Sequence, residues 1–539
     1  MNENYFNIIY EGLSGELSAL PPEGQVTHFE NYRTNHNLDR TVAICYLNRF
    51  LASVREGATC AVKPLEYLID KCLQLSPFDI VNLRTPAVMA DPENRIKIEI
   101  LDKTNASPED FSMIEKLNLK REVQDVSEFL RKLLQMFPNY ALAAGLLLRT
   151  DHMLGQRPDW LAAFHCPKRL QDDFNSMLFQ HYAAIGCADE AEALWAGLPP
   201  RAKREVGLNC AAEVARRRGD TQKAIERYER SFRLDPSQGA VYFRLRELKN
   251  PSVMTKGLLG LRRVAICLYT FNKGKVFEST LKSLAASNIG DASVTVLVNG
   301  CSDDSLAVAE AARALFPNNR YTVINLHVNI GAPAARNWLI NLPENKDTDY
   351  VAFLDDDVDV QPDWLEWFLS VAETDPKIGV VGCKVVFPGQ PAMYQYLFRY
   401  VSVAYNDLLR LSLGSPDHQY DTGEYDFIRE TRSVMGCCHL LRTAALRDEP
   451  FFDIRFSPSQ VDDIDHDLCL CLAGWKVMYC GLVACQHHQS SGVGLRSTPS
   501  DYARTGNAVG NDVKLYHKHF NNLERLRELD NLSLLPTGK

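Results

Sequence analysis

Hydrophobic and polar positions follow different patterns in the two halves of the chain. Up to about residue 250, apolar residues recur at intervals of three and four, as in VSEFLRKLLQMF (Val126–Phe137), which is typical of amphipathic helices. NRIKIEIL (Asn94–Leu101) is the one run in this half that could form a strand. Later, the runs RVAICLYT, SVTVLVN, YTVINLHV and YVAFL alternate with segments of helical spacing. Such alternation predicts a mostly parallel sheet with helices on both faces.

Glycines recur at a regular spacing in the helical half. Gly155, Gly186 and Gly219 lie 31 and 33 residues apart. In the last two copies a small and an aromatic residue follow the glycine at the same offsets, namely Ala191 and Trp195, then Ala224 and Tyr228. This half resembles tetratricopeptide repeats, most clearly between Glu205 and Pro236. An ordinary helical bundle is the alternative.

A segment rich in helix breakers separates the two halves. Leu248–Arg263 (LKNPSVMTKGLLGLRR) contains proline and glycine and has no regular period, so we place a domain boundary there. We expect an N-terminal helical region at 1–125, helical repeats at 126–250, an α/β domain at 260–500 and a C-terminal helical tail at 501–539.

Charge and hydrophobicity along the chain indicate the cellular compartment of the protein and the classes of partner that it can bind. A net charge of −9 argues against a nucleic-acid partner, whose phosphates attract a basic surface. No apolar run reaches the roughly 18 residues that a membrane-spanning helix needs, so we expect no transmembrane segment. The N-terminus also lacks the basic start and apolar core of a secretory signal. We therefore expect a cytoplasmic protein, and peripheral membrane association stays open.

The fifteen cysteines are scattered through apolar runs, which indicates reduced, buried thiols instead of disulfides. One cluster could suggest a zinc site; it comprises Cys469, Cys471, Cys480, Cys485, His487 and His488. The cluster contains no CxxC pair, which zinc sites of this kind normally have. Structural zinc is therefore the weaker interpretation.

Three consecutive carboxylates follow one of the predicted strands directly. YVAFL (Tyr350–Leu354) runs into Asp355, Asp356 and Asp357, whose charges repel one another unless a cation neutralises them. Parallel sheets bind ligands beyond the carboxyl ends of their strands. Mg²⁺ and Mn²⁺ prefer oxygen ligands, which they share with the phosphates of a substrate. The cluster therefore suggests a metal–phosphate site, with a solvated acidic turn as the alternative.

Further motifs surround this cluster in order: VAICLYTFNKGKVFESTLKSL, VTVLVNGCSDDS, NIGAPAARNWLI, FLDDDVDVQPDWLE, VDDIDHDLCLCLAGWKVMYC and ACQHH. With them, the chain resembles the family 2 glycosyltransferases of the GT-A fold from Val264 to about Gly494. A chain of 539 residues is too long for a single core, so we expect a multidomain protein. We expect an all-α, tetratricopeptide-like N-terminal region followed by an α/β GT-A domain with a Rossmann-like, mostly parallel sheet.

The resemblance also implies roles for individual residues. Asp357 is expected to bind Mn²⁺ or Mg²⁺, with His487 as a second ligand and His488 as its rival. A nucleotide-sugar donor is expected to contact Tyr269, Asn272, Asn299, Asp303, Asn329, Arg336, Asp355 and Asp356. Asp463, with Asp462 beside it, is the expected catalytic base, which implies inversion at the anomeric carbon. The alternatives are a structural histidine and a pair of aspartates that cap a helix.

Some positions depart from the family pattern. Val298 stands where many members have an aspartate near the nucleobase, and Asp462 replaces a glutamate. The acid of the family's Asp-Leu pair is Asp465 by its spacing to Gly474, whereas Asp467 is the acid that a leucine follows. These departures concern the acceptor side more than the donor side.

The combined prediction is a metal-dependent, inverting glycosyltransferase that moves a sugar from a nucleotide-diphosphate donor, such as a UDP-sugar, to a hydroxyl group. The helical repeats are expected to recruit a protein acceptor. A polysaccharide or lipid-linked glycan acceptor, a phosphoryl-transfer enzyme and a non-catalytic scaffold are the alternatives. The segment 388–432, rich in Tyr and Phe, is either an acceptor-binding insert or a surface helix packed on the repeats.

Overall fold

The computed structural model describes residues 13–102, 123–401, 419–488 and 502–531, together with residue 113. Its N-terminal part is helical: α1 (Leu13–Ser18), α2 (Pro22–Asn35), α3 (Arg40–Arg55), α4 (Val62–Leu75), α5 (Ile80–Leu83), α6 (Pro86–Met89), α7 (Pro92–Asp102), α8 (Val123–Met136), α9 (Ala141–Leu154), α10 (Gln171–Ala184), α11 (Ala188–Gly197), α12 (Glu205–Arg217), α13 (Thr221–Leu234) and α14 (Gly239–Lys249). The strand considered at Asn94–Leu101 is wrong, because these residues belong to α7. The buried positions of α7 are Ile98 and Leu101, which are three residues apart and share one helical face.

Two helical hairpins turn at predicted repeat glycines. Gly186 lies between α10 and α11, Gly219 lies between α12 and α13, and both have a φ of 85°. Glycine adopts this left-handed conformation without the steric penalty of a side chain. Gly155 also ends its helix with a positive φ of 64°, but only the short 3₁₀ turn Leu161–Ala163 follows before residue 168. The first copy therefore lacks the second helix of a hairpin.

The second half is an α/β domain with a ten-stranded sheet. Its strands are β1 (Val264–Thr270), β2 (Ser293–Asn299), β3 (Tyr321–Leu326), β4 (Tyr350–Leu354), β5 (Val358–Val360), β6 (Ile378–Phe387), β7 (Met393–Tyr396), β8 (Ile428–Thr431), β9 (Cys438–Arg442) and β10 (Lys476–His487). Its helices are α15 (Gly274–Ala286), α16 (Ser305–Ala311), α17 (Ala332–Ile340), α18 (Pro343–Lys346), α19 (Trp364–Ala372), α20 (Thr443–Asp448) and α21 (Asp462–Leu472). The expected class, a helical region followed by an α/β domain, is confirmed.

The strand order is β3-β2-β1-β4-β9-β6-β10-β5, with β7 on β6 and β8 on β10. Strands β3, β2, β1 and β4 are parallel, as the strand–helix alternation predicts. Strand β9 is antiparallel to both β4 and β6. The chain between β6 and β9 forms no described helix that could act as a crossover, so β9 runs in the opposite direction. The carboxyl ends of β1, β2 and β4 meet at one edge of the sheet.

The helical region is firmly attached to the α/β domain. Arg244 donates to buried Glu213 over 2.7 Å and to the carbonyl of Asp426 over 2.7 Å. Beside this contact, the ring of Phe243 stacks on that of Phe427 with centroids 5.5 Å apart. Glu213 fixes the Arg244 side chain within the helical region, and the hydrogen bond from Arg244 to Asp426 and the stacked rings leave little freedom between the two parts.

The described flanks of the segment 388–432 pack on the helices. His36 stacks on Phe398 with ring centroids 4.7 Å apart, and the backbone N–H of Asn37 donates to the hydroxyl of Tyr425 over 2.9 Å. The segment includes the strands β7 and β8, so among the described residues it packs on the helices as sheet and loop, not as a surface helix. Residues 402–418 lie outside the described part of the chain.

Helices α22 (Tyr502–His519) and α23 (Leu523–Asn531) follow the α/β domain. Lys518 and His519 contact Asp465 of α21 at 2.6 and 2.8 Å, so Asp465 attaches the C-terminal helices to the domain. No helix among the described residues is long and apolar enough to cross a membrane.

Candidate active site

Strand β4 ends in three carboxylates at the carboxyl edge of the sheet. Asp355 accepts a hydrogen bond of 3.2 Å from the hydroxyl of Tyr269. The ammonium of Lys273 lies 3.1 Å from Asp356 and 2.7 Å from Asp357. Asp356 and Asp357 are only 7% and 2% exposed, so the cluster is not a solvated acidic turn.

Strand β10 places His487 against this cluster. His487 pairs in register with Val358 of β5, and its Nε2 lies 3.0 Å from Asp357 Oδ1. Its Nδ1 contacts Oε1 of Gln395 at 3.1 Å, and this contact orients the ring so that Nε2 faces Asp357. His488 instead contacts Asp359 at 2.6 Å. His487 is therefore the histidine that joins the aspartate cluster.

The carboxylates of the cluster have opposite pKa shifts. Burial raises the pKa of Asp355 to about 6, although Arg336 opposes this effect. Burial would also raise the pKa of Asp357, but the hydrogen bond from His487 and the ammonium of Lys273 outweigh it and lower that pKa to about 2. Asp357 is thus held as a carboxylate throughout the physiological range.

Asp355, Asp357 and His487 offer one ligand atom each, and these atoms lie within 4.8 Å of one another. Two adjacent ligands of an octahedral Mg²⁺, each about 2.1 Å from the ion, are roughly 3 Å apart. The 3.0 Å between His487 Nε2 and Asp357 Oδ1 agrees with that spacing. Two carboxylates and one imidazole therefore fit Mg²⁺ or Mn²⁺.

Helix α21 begins with the two predicted catalytic acids. Gln460 and Val461, which precede it, have φ values of 78° and 73°, a left-handed conformation that a β-branched residue such as valine rarely adopts. Val461 occupies the N-cap position, so neither Asp462 nor Asp463 is the cap residue. Asp463 is part-exposed and accepts the N–H of Gly436 over 2.8 Å, whereas Asp462 is buried.

Arg336 connects the acids of β4 with those of α21. Its buried guanidinium donates to Asp462, lies 3.7 Å from Asp355 and donates to the carbonyl of Gly436 over 3.3 Å. A Cβ at Gly436 would lie 2.9 Å from the Arg336 guanidinium and 3.0 Å from the Asp463 carboxylate. A residue without a side chain is therefore needed at position 436. Arg336 thus contacts two aspartates, and its expected contact with the donor stays a prediction.

The other predicted donor residues lie at or just beyond the carboxyl ends of β1, β2 and β3. Asn299 donates to Asn329 over 2.9 Å. Asn272 accepts the N–H of Ser302 over 2.7 Å, and Asp303 accepts the N–H of Gly274 over 3.0 Å. These hydrogen bonds shape the same edge of the sheet, and contact with a donor stays a prediction for all four residues.

Lys273, Gln395 and Gly436 belong to the site but were missed by the sequence analysis. Lys273 follows the end of β1 by three residues, so the rule about strand ends could have found it. Gln395 is 92 residues from His487 and lies in no motif. Asp467, the alternative acid on α21, accepts the N–H of Val434 and has a structural role.

The cysteines and histidines of the weaker zinc interpretation are distributed over separate places. Cys485 lies with Cys383 and Cys438 in the core, Cys469 lies near His519, and His487 lies in the aspartate cluster. All fifteen cysteines are free, as the sequence predicts.

Parts of the chain are similar to known proteins. Residues 262–504 match the model of the family described as "Glycosyltransferase like family 2". The chain is 27% identical to the O-antigen biosynthesis protein RfbC of Myxococcus xanthus over 161 residues. This stretch covers 30% of this chain and 12% of the relative. It is also 34% identical to the succinoglycan biosynthesis protein ExoM of Rhizobium meliloti (strain 1021) over 122 residues. This stretch covers 22% of this chain and 37% of the relative. The chain thus spans well under half the length of either relative.

Two solved structures show weaker similarity. GalNAc-T7 with UDP, GalNAc and Mn²⁺ has a TM-score of 0.38 and 12% identity, over 50% of this chain and 55% of that one. Residues 1–349 of S. aureus TarS give a TM-score of 0.32 and 14% identity, over 50% of this chain and 88% of that one. Both TM-scores are below 0.5. The family match and the two curated relatives agree with the predicted enzyme class: residues 262–504 are similar to the family 2 glycosyltransferases.

Proposed function

We propose that the protein is a metal-dependent, inverting glycosyltransferase that transfers a sugar from a nucleotide-diphosphate donor, in the first instance a UDP-sugar, to a hydroxyl group. One observation carries the proposal. Inside the region that is similar to family 2 glycosyltransferases, the metal-ligand set Asp355, Asp357 and His487 is linked through Arg336 to the helix that bears Asp463.

The donor side consists of the acids after β4 and the residues around them. Asp357 and His487 would hold Mn²⁺ or Mg²⁺, with Asp355 as a third ligand. A bound divalent cation would stabilise the negative charge of the departing diphosphate as a Lewis acid. Lys273, which contacts Asp357 at 2.7 Å, adds a positive group beside the same position. Tyr269 holds Asp355 in place through its hydroxyl.

On the acceptor side, Asp463 is the base. Its position is fixed by the N–H of Gly436, and it is accessible, whereas Asp462 is buried against Arg336. As the acceptor oxygen bonds to the anomeric carbon, Asp463 takes the hydroxyl proton. The bond between that carbon and the phosphate oxygen breaks, and the electron pair leaves with the nucleoside diphosphate. A single displacement of this kind inverts the configuration.

A protein acceptor, recruited in the cytoplasm by tetratricopeptide-like hairpins, remains our first proposal. The hairpins α10–α11 and α12–α13 provide a helical surface that binding of a nucleotide sugar does not require. A polysaccharide or lipid-linked glycan acceptor is the second candidate. The names of the two curated relatives, an O-antigen and a succinoglycan biosynthesis protein, support it.

The test uses the full-length chain, because removing the helices would expose the surface around Phe427. The protein is incubated with several sugar nucleotides and Mn²⁺, and release of the nucleoside diphosphate is measured with and without EDTA. We expect release that requires the metal. No release with any donor, or equal release in EDTA, would contradict the proposal. Radiolabelled donor, offered with the protein and glycan fractions of the source cells, then identifies the acceptor class, and NMR of the product identifies the anomer.

A further inference from the structure

A cavity of about 470 Å³ lies between the helical region and the α/β domain. It shares no lining residue with the candidate active site. The lining is largely apolar, with side chains that include Leu38, Phe78, Leu146 and Met177, and Tyr420 closes it from the α/β domain. Sites for small molecules typically measure roughly 300–1,000 Å³, often lie at domain interfaces, and combine an apolar lining with a few polar groups.

Arg40 and Arg149 bring two positive charges close together beside this cavity. Arg40 donates to Ser76 over 2.9 Å and pairs with Asp79 at 3.2 Å. Asp79 also accepts the N–H of Asn82 over 3.1 Å. Arg149 lines the cavity nearby, and among the described residues its guanidinium takes part in no hydrogen bond or ion pair. Asp79 thus pairs with Arg40, and among the described residues Arg149 has no carboxylate partner.

The other charged groups around the cavity have partners inside the protein. Among the positive groups, Lys71 pairs with Glu205 and Asp235 at 2.5 and 2.8 Å, Arg33 pairs with Glu30, and Arg217 donates to the carbonyl of Ala183. Among the negative groups, Asp39 accepts the N–H of Val42, and Glu424 accepts a hydrogen bond from the side chain of Asn37. Burial lowers the pKa of His36 to about 3 and that of His181 to about 4, so both are neutral. The unmatched charge is therefore at Arg149.

We propose that this cavity binds a small organic anion with an apolar body, whose carboxylate or phosphate group pairs with Arg149. An unpaired guanidinium that is partly removed from water is costly, and an anion relieves that cost. The planar fork of arginine matches a carboxylate or a phosphate with two parallel hydrogen bonds. Arg40 adds a second positive charge, and the apolar lining contacts the rest of the ligand. This site is separate from the proposed transfer reaction and does not depend on it.

The surroundings of Arg149 agree with this role. Burial, followed by the like charge of Arg40, lowers the pKa of Arg149 to about 10. The side chain is nevertheless accessible, because it faces the cavity. Its charged end is therefore available to a ligand that enters.

The test compares three probes with the same ten-carbon chain: decanoate, decyl phosphate and uncharged decanol. Binding to the full-length protein is measured by calorimetry below the micelle concentration of each probe. We expect the better of the two anions to bind at least about tenfold more tightly than decanol, as a charge-assisted pair predicts. Which anion binds more tightly distinguishes a carboxylate ligand from a phosphate ligand.

Arg149→Met should remove the preference for anions and keep the affinity for decanol. The matched control is Arg230→Met, at an exposed arginine outside the cavity lining, which should retain the preference. Because Arg149 forms no ion pair, its loss should not lower the melting temperature. If Arg149→Met melts early, Arg149→Gln, which keeps a polar end, replaces it. A wild type that binds decanol as tightly as both anions, or an Arg149 variant that retains the preference, would overturn the proposal.

Discussion

Replacing Asp357 with asparagine removes one charge from the proposed metal site and almost preserves its shape. In the folded protein the pKa of Asp357 is about 2, against an ordinary value of 3.8. A difference of nearly two pKa units corresponds to about 2.5 kcal/mol in favour of the carboxylate. The side chain is 2% exposed, so solvent screens little of this energy. Because the folded pKa is lowered, the stabilisation is fully present above about pH 4 and is lost as the pH falls towards 2.

At neutral pH, Asp357→Asn should therefore lower the free energy of unfolding of the metal-free protein by about 2 kcal/mol. A divalent cation interacts with the same carboxylate and carries twice the charge of Lys273. We expect the variant to bind Mn²⁺ at least about 30-fold more weakly than the wild type, the factor that corresponds to 2 kcal/mol. Calorimetric titration with Mn²⁺ and release of nucleoside diphosphate from a sugar nucleotide measure the two consequences.

Asp359→Asn is the matched control, because Asp359 follows Asp357 by two residues and also contacts a histidine, at 2.6 Å. That pair is about one-third exposed on both sides and is not part of the ligand set. The control should therefore keep its Mn²⁺ affinity within about fivefold, the effect expected of an exposed ion pair. If Asp357→Asn binds Mn²⁺ like the wild type, or if Asp359→Asn loses as much affinity, the assignment of the metal ligands is refuted.

Three further predictions concern other parts of the molecule. Asp463→Asn should bind donor and Mn²⁺ normally and slow transfer by about 100-fold or more; normal transfer in this variant with an inactive Asp462→Asn would place the base one residue earlier. Gln395→Leu should weaken Mn²⁺ binding about tenfold, because the His487 ring loses its orienting partner; unchanged affinity in calorimetry would show that the hydrogen bond is dispensable. Burial raises the pKa of Glu424 from 4.5 to about 7, so its ionisation destabilises the fold as the pH rises through that range. Glu424→Gln should accordingly gain up to about 3 kcal/mol at pH 8 and little at pH 4.5 in denaturant unfolding, and equal gains at both values would contradict the assigned pKa.

Local patterns predict the parts of this structure that depend on local chemistry. The apolar run Tyr350–Leu354 forms β4, and the carboxylates that follow it lie at the carboxyl edge, because that position follows from parallel pairing alone. The glycines at 186 and 219 turn two hairpins, since the left-handed conformation is a property of the residue itself.

Features that depend on distant contacts were not predictable in this way. The run Asn94–Leu101 has the composition of a strand, yet it is helical because its burial is on one face. Gln395 meets His487 only through the pairing of β7 with β6 and of β6 with β10. The ammonium of Lys273 would be expected to remain in solvent, but the sheet edge places two buried carboxylates beside it.

The attachment of the helices to the α/β domain has a consequence for the pattern of products. Because Arg244 and Phe243 fix the helical region against Asp426 and Phe427, the separation between a helical binding surface and Asp463 is constant. A long acceptor that remains bound to the helices would place near Asp463 only certain hydroxyls. These are the hydroxyls whose distance from the helix-bound part of the acceptor equals the fixed separation between the helical surface and Asp463. Sugars would then be added at a regular interval along the acceptor, and the interval would be set by the enzyme, whether the acceptor is a polypeptide or a glycan.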